Sequence, residues 1–158
     1  QIHPDGTEAL STLRIEMGHV AGSELDGRTI PYDASLEGLV SKKKDFIGKR
    51  SLNRSAFTST DREKLVGVVP IDKTTSIPEG SYIVKDPKAK LPNPKLGHVS
   101  ASCWSVEYDN PFSLAIIKDG KNMIGQKLFA MSPLKNKTIP VEIVSSHYVD
   151  PEGKRVRS

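Results

Sequence analysis

Four histidines, one cysteine and a run of three lysines are the residues of this 158-residue sequence from which chemistry could be built. His3, His19, His98 and His147 form no HxH or HxxxH pair, and Cys103 has no second thiol. The spacing therefore gives no zinc site and no internal disulfide. No GxGxxG or Walker sequence occurs, which leaves no dinucleotide or triphosphate cradle. Cys103 as a nucleophile would need a base, but His98 differs from it in parity and falls on the opposite face of an extended strand. Cys103 therefore reads as a small buried residue beside Val99 and Ala101. Trp104 shares the other face with Val106 and Tyr108, as a core aromatic or as a wall for a planar ligand or a subunit. Arg14 and Glu16 read as a structural ion pair or, less simply, as ligand contacts. Lys42, Lys43 and Lys44 read as solvated surface, or as an attractor of a carboxylate-bearing ligand or acidic partner.

The elements that must position these residues fall into two kinds. Residues 7–18 predict a helix, with Leu10, Leu13 and Met17 at helical spacing beside Ala9. Asp5 or Thr7 would cap its start, and Gly18 suits the C′ position. Asp26-Gly27 is a turn signal, and Pro31 stops any helix that approaches it. Residues 35–40 predict a helical turn leading into a strand, and Asp45 an N-cap for a helix over residues 46–54. Residues 55–61 have the composition of a joint.

After that the pattern changes to strands, predicted over residues 65–71, 82–84, 97–108, 112–117, 126–131 and 138–145. Pro70 argues that the first ends at an edge or bulge. Pro87, Pro92 and Pro94 mark an exposed loop, and residues 118–121 a hairpin-type turn. Short strands at this spacing predict a closed or sandwich-like all-β unit, and the fold class is α+β, mostly β.

Net charge is +4, with both signs interspersed. Basic residues are not interleaved with aromatics, which argues against nucleic acid as a partner. No apolar run is long enough to span a bilayer. A single cysteine fits a reducing, cytoplasmic setting. The opening QIHPDGTE has no signal-peptide character and reads as the start of a piece from a longer chain.

Three stretches together carry a family resemblance. GTEALSTLRIEMGH, ELDGRTIPYDASLEGLVSKKKDFIGKRS and VEIVSSHYVDPEGKR resemble segments of the C-terminal part of the α subunit of heterotetrameric sarcosine oxidase. The SKKKDFIGKR element is shared with the wider folate-dependent aminomethyltransferase family, which includes the glycine-cleavage T protein. The resemblance implies a folate-binding α/β region ending over residues 1–59, then a C-terminal Greek-key-like β-barrel over residues 60–158. It implies tetrahydrofolate as cofactor, with FAD, FMN and NAD held by other parts of the parent complex. The implied reaction is oxidative demethylation of sarcosine to glycine and hydrogen peroxide, with the one-carbon unit passed to tetrahydrofolate. The implied partners are the upstream part of the same subunit and the other subunits.

No catalytic residue carries over. The family's aspartate lies upstream, and Leu10 and Gly38 stand where glycine-cleavage relatives have an arginine and a tryptophan. Tyr32, Trp104 and Tyr148 are the folate-proximal candidates. Two other readings are a fragment of a glycine-cleavage-type aminomethyltransferase and a non-catalytic docking module.

Overall fold

The computed structural model describes residues 6–90, 92 and 94–157. Six strands, β1 (Glu63–Pro70), β2 (Tyr82–Val84), β3 (Gly97–Ser105), β4 (Asn110–Lys118), β5 (Lys127–Ser132) and β6 (Lys137–Val144), close into a barrel in the order β1-β4-β3-β2-β5-β6. Every pairing is antiparallel. β2, β3 and β4 are successive neighbours, and β1 returns to lie beside β4, which is Greek-key order. The predicted closed all-β unit is present. Pro70 ends β1 opposite Val141, but at a strand end and not at a sheet edge, because closure removes edges.

The barrel interior is filled by Val66, Val68, Ile77, Ile83, Val99, Ala115, Ile117, Leu128, Ala130 and the inward residues of β6. β1 and β4 are apolar on their other face as well. Leu65, Phe112, Leu114 and Ile116 form a second core outside the barrel, with Ala101 and Ile15. Burial on both faces explains why residues 112–117 run almost without a polar interruption. That outer core needs a cover, and the N-terminal segment supplies part of it.

Helix α1 (Thr7–Glu16) is that cover, but it lies down on an unexpected side. Ile15 and Glu16 are buried, while Leu10 and Leu13 are 66% and 54% exposed. The apolar stripe predicted to seat the helix faces outward. The reason is polar: Ser105 Oγ donates to Glu16 Oε1 at 2.6 Å, and the backbone N–H groups of Tyr148 and Val149 donate to the Glu16 carbonyl at 3.2 and 3.0 Å. These bonds satisfy a buried carboxylate and a helix-end carbonyl together. Gly6 is the N-cap, without a side-chain cap, so Thr7 does not serve there. The Asp5 alternative lies outside the described residues. The C-terminus closes as expected: His19 N–H donates to Arg14 O at 2.8 Å and Gly18 N–H to Ile15 O at 3.0 Å, the Schellman pattern.

Three other expectations change. The helix over residues 46–54 is cut to one turn, α2 (Lys49–Leu52), followed by another, α3 (Ser55–Thr58). Gly48 at φ 95 stands just before α2, a conformation no α-helix interior contains, so Asp45 caps nothing. The helical turn near residue 37 forms as a 3-10 turn over Glu37–Leu39, with no strand after it. Residues 118–121 make no hairpin, since β4 and β5 are not neighbours. A 3-10 turn over Gly120–Met123 carries the chain across instead. The last element, α4 (Lys154–Arg157), is a single turn after Asp150, whose carboxylate accepts from the N–H groups of Lys154 and Arg155.

A β-bulge at Ser100 has the largest consequence. The β3–β4 register passes from Val99↔Ala115 directly to Ala101↔Leu114. Val99 points into the barrel, whereas Ala101 and Cys103 belong to the outer core. The extra residue reverses the faces along β3.

Gly18 tests how α1 is tied to the barrel. Its φ is +70°, and a Cβ there would stand 2.4 Å from the Ser146 carbonyl oxygen. Gly18→Ala is expected to destabilise the chain by about 2–4 kcal/mol, from left-handed backbone strain plus the clash. Urea denaturation should show this as a lower midpoint with an unchanged slope.

Candidate functional site

The segment from residue 19 to residue 62 runs over the outside of the barrel and is fastened by buried carboxylates. Asp33, in the Pro31-Tyr32-Asp33 step, is 5% exposed. Arg62 Nε donates to its Oδ1 at 2.9 Å, Arg62 Nη2 donates to its Oδ2, and Lys64 Nζ reaches Oδ1 at 3.3 Å. Ile30 N–H adds a bond to Oδ2 at 3.1 Å, and the Asp33 carbonyl accepts from Leu65 N–H at 2.7 Å. One aspartate thus joins the connector to the first residues of β1. Burial pushes its carboxyl up, but the Arg62, Ile30 and Lys64 bonds outweigh burial and hold it below the usual carboxylate range.

Glu24 repeats the device nearer α1. Its side chain is fully buried; Arg14 Nη1 donates to Oε2 at 2.9 Å and Ala21 N–H at 2.8 Å. Burial again raises the carboxyl, and bonds from Ala21, Ser100 and Ser23, with the Arg14 charge, bring it below its ordinary value. Arg14 therefore pairs with Glu24, and the Arg14–Glu16 ion pair does not form. Sequence reasoning passed over Asp33, Arg62 and Lys64. The available signal was the i, i+2 placement of two cations at a strand start, which puts both on one face.

Two grooves flank this anchor. One, of about 580 Å³, is lined by Asp26, Arg28, Asp61, Arg62, His98 and Lys118 among others. Its charges are of both signs and largely pair with one another; the side chain of Arg28 holds Asp26 at about 2. The other groove, of about 870 Å³, is lined by Tyr32, Lys42, Lys43, Lys44, Phe46 and Lys49 together with Glu37 and Gly38. Here lysines dominate. The acid, Glu37, is already paired with Lys121.

The three aromatic candidates are not brought together. Tyr32 lines the lysine-rich groove. Tyr148 stacks on Phe112 with ring centroids 4.3 Å apart and meets Tyr108 at 4.6 Å, while its hydroxyl pairs with the Asn110 side chain. Trp104 is 45% exposed near the end of β3, its Nε1–H donating to Asp109 Oδ1 at 3.2 Å. The core-aromatic reading of Trp104 does not hold, and Val106 and Tyr108 beside it are exposed as well.

The bulge also moves His98 and Cys103 onto the same outer side of β3, opposite Ile116 and Phe112, contrary to simple alternation. The thiol gains nothing from this. Burial and the Glu16 charge push Cys103 up to about 12, away from the thiolate that nucleophilic chemistry needs. Among the described residues, no cluster of three or more His, Cys, Asp or Glu side chains is placed to hold a metal ion. No helix among them is long and apolar enough to cross a membrane.

Comparison with known proteins assigns the barrel. A sequence model described as the glycine cleavage T-protein C-terminal barrel domain matches residues 63–150, from the start of β1 to the turn before α4. The chain belongs to this family. Sarcosine oxidase subunit alpha of Rhizobium meliloti is 38% identical over 157 residues, 98% of this chain and 16% of that protein. An aminomethyltransferase of Synechococcus is 30% identical over 147 residues, 90% of this chain and 37% of that protein. The glycine cleavage system aminomethyltransferase T of Bartonella henselae superposes with a TM-score of 0.72 at 22% identity, over 90% of this chain and 38% of that one. The chain thus spans well under half of each relative. In this T-protein-type barrel, the connector anchored by Asp33 and Glu24 lies outside the matched family region yet inside the sarcosine oxidase match.

The Asp33 cluster makes a pH prediction. Its folded-state value lies below the unfolded one, so its contribution is complete above the ordinary carboxylate range and is lost as pH falls through the lowered value. Asp33→Asn should cost about 2–4 kcal/mol at neutral pH, because Arg62 and Lys64 lose their anion. Thermal melts should show the variant losing less further stability than the parent between neutral pH and about pH 3. Parallel pH curves would contradict this account.

Proposed function

We propose that this chain is the C-terminal part of a sarcosine oxidase α-type subunit. The observation that carries the reading is the reach of the 38% match. It covers 98% of the chain, including the connector and the lysine-rich groove, at higher identity than the aminomethyltransferase match. In this reading, residues 1–59 end a folate-binding region and residues 60–158 form the barrel. Sarcosine, dioxygen and tetrahydrofolate become glycine, hydrogen peroxide and methylenetetrahydrofolate. The flavin that takes the electrons, and the NAD site, belong to other parts of the complex, which works in the cytoplasm.

In this reading the base and the redox groups come from outside this chain. The chain contributes shape and charge: a rigid barrel, a connector pinned to it, and a cationic groove beside Tyr32. Of the three aromatic candidates, Tyr32 would border a pterin or its tail, a role supported by its place on the wall of the lysine-rich groove. Trp104 offers an exposed face to a neighbouring subunit. Tyr148 has both Phe112 and Tyr108 against its ring and acts on a ligand only through the shape of that cluster.

The native complex containing this chain should release peroxide from sarcosine and yield methylenetetrahydrofolate when tetrahydrofolate is present. The 158-residue chain alone should release none. A native protein without flavin would remove the oxidase reading in favour of the aminomethyltransferase one, and a native protein that binds no tetrahydrofolate would leave only a structural module.

The outward stripe on α1 fits a part buried in a larger assembly. Leu13 lines a small hollow with Met17, Val106 and Val149, beside Glu107, Asp150 and Arg155, and exposed Leu10 precedes it on the same helix. The isolated chain should therefore self-associate with rising concentration, and Leu10→Lys with Leu13→Lys should reduce this. Sedimentation showing a monomer at all concentrations would count against it.

A further inference from the structure

Residues 38–61 are held to the barrel at their ends and not along their length. None of residues 35–61 is buried, whereas Asp33 and Ala34 before them and Leu65 after them are. Among the described residues, the hydrogen bonds of residues 41–61 stay within that stretch, apart from one that the Ala56 carbonyl accepts from Arg62 Nη1 at 3.3 Å. The Arg62 guanidinium also lies 5.3 Å from the centre of the Phe57 ring. The two ends meet, because Asp33 and Arg62 pair and the Arg62 carbonyl accepts from Asp119 N–H at 3.0 Å. The segment is thus a loop closed at a neck, with a body that puts no side chain into the core.

A second tie lies at the start of the segment. Glu37 pairs with Lys121 on the 3-10 turn that carries the chain from β4 to β5. This pair stands beside a hollow of about 270 Å³ lined by Ser35, Leu65, Val66, Ile124 and His147 among others. The two ties differ in their contact with solvent. The side chains of Lys121 and Glu37 are 39% and 49% exposed, those of Arg62 and Asp33 20% and 7%. Water and salt weaken the first pair far more than the second.

We propose that residues 38–61 form a strap that swings on the Asp33–Arg62 neck, with the Glu37–Lys121 pair as its releasable catch. Opening breaks no core contact, since the segment buries no side chain, and such segments open at the least free-energy cost. Lys42, Lys43, Lys44 and Phe46 ride on the strap, while Tyr32 stays on the barrel side through the bond from Lys64 Nζ to its carbonyl at 3.2 Å. Opening therefore parts the two walls of the larger groove. The strap is built from this chain's own contacts and is independent of which parent enzyme contains it.

Limited trypsin digestion of the native protein tests this, with the cut sites read by mass spectrometry. Lys42, Lys43, Lys44, Lys49, Arg50 and Arg54 report the strap, and exposed Lys88, in the loop after β2, reports trypsin's own activity. Raising salt from about 0.05 to about 0.5 M should speed strap cleavage about threefold relative to Lys88, because the catch is an exposed ion pair. At low salt Glu37→Gln and Lys121→Gln should each speed it about threefold, and the two together no more than either alone, since both remove one pair. A double variant at the product of the single effects, about ninefold, would make the two residues independent and overturn the catch. Strap cleavage unmoved by salt and by both variants, or a strap left whole while Lys88 is cut, overturns the proposal.

Discussion

A barrel strand that is apolar on both faces cannot be left uncovered, and β1 and β4 are such strands. Val66, Val68, Ala115 and Ile117 fill the barrel, while Leu65, Phe112, Leu114 and Ile116 must be hidden on the outside. At roughly 25 cal/mol per Å² of apolar surface, leaving four large side chains wet would cost several kcal/mol, comparable to the stability of a whole domain. The N-terminal third exists in its observed place because it closes over this outer core. Among the described residues its hydrophobic content is small: Ile15 and Ala34 are buried and Val20 is half-buried against the outer core. Buried carboxylates do the fastening.

Glu16, Glu24 and Asp33 are each buried, and each is matched by donors from a different part of the fold. No buried side-chain polar atom among the described residues lacks a partner. Such pairs add little over a well-packed apolar contact, but breaking one strands a charge. That asymmetry favours a single seating of the connector. It also explains why so many ionisable groups here point to no reaction. Arg14, Arg62, Lys64, Glu16, Glu24 and Asp33 are already bonded to one another or to the barrel.

The strands were legible because burial writes a period of two, or an unbroken apolar run, into the sequence. β2 was placed to the residue and the others nearly so. Two of the departures depend on contacts distant in sequence. The bulge at Ser100 leaves no mark that alternation can detect, yet it reverses every side chain after it and so moved Cys103 to the other face. The face of α1 is not legible locally: Leu10, Leu13 and Met17 look like a seat, whereas the bond from Ser105, 89 positions away, buries Glu16 instead. The helix over residues 46–54 failed for a local reason. Gly48 stands inside that span with a left-handed backbone, so only the turn after it is helical. The family resemblance was legible in the motifs themselves, and the barrel it implied is the barrel observed.

The candidate site shows the same division between local and distant information. The lysine triplet was visible as a cationic run but had no shape in the sequence. The structure supplies the shape: Lys49 folds back to the carbonyls of the loop, and Tyr32 and Phe46 close the groove. Tyr32 is carried there by its neighbour, since Asp33 points inward to Arg62 and Lys64 while the Lys64 ammonium also holds the Tyr32 carbonyl at 3.2 Å. The anchor that secures the connector to the barrel therefore also sets one wall of the groove. A change at Asp33 should reach the groove through two residues of backbone, which makes the stability of the outer core and the geometry of the cationic surface a single property of this chain.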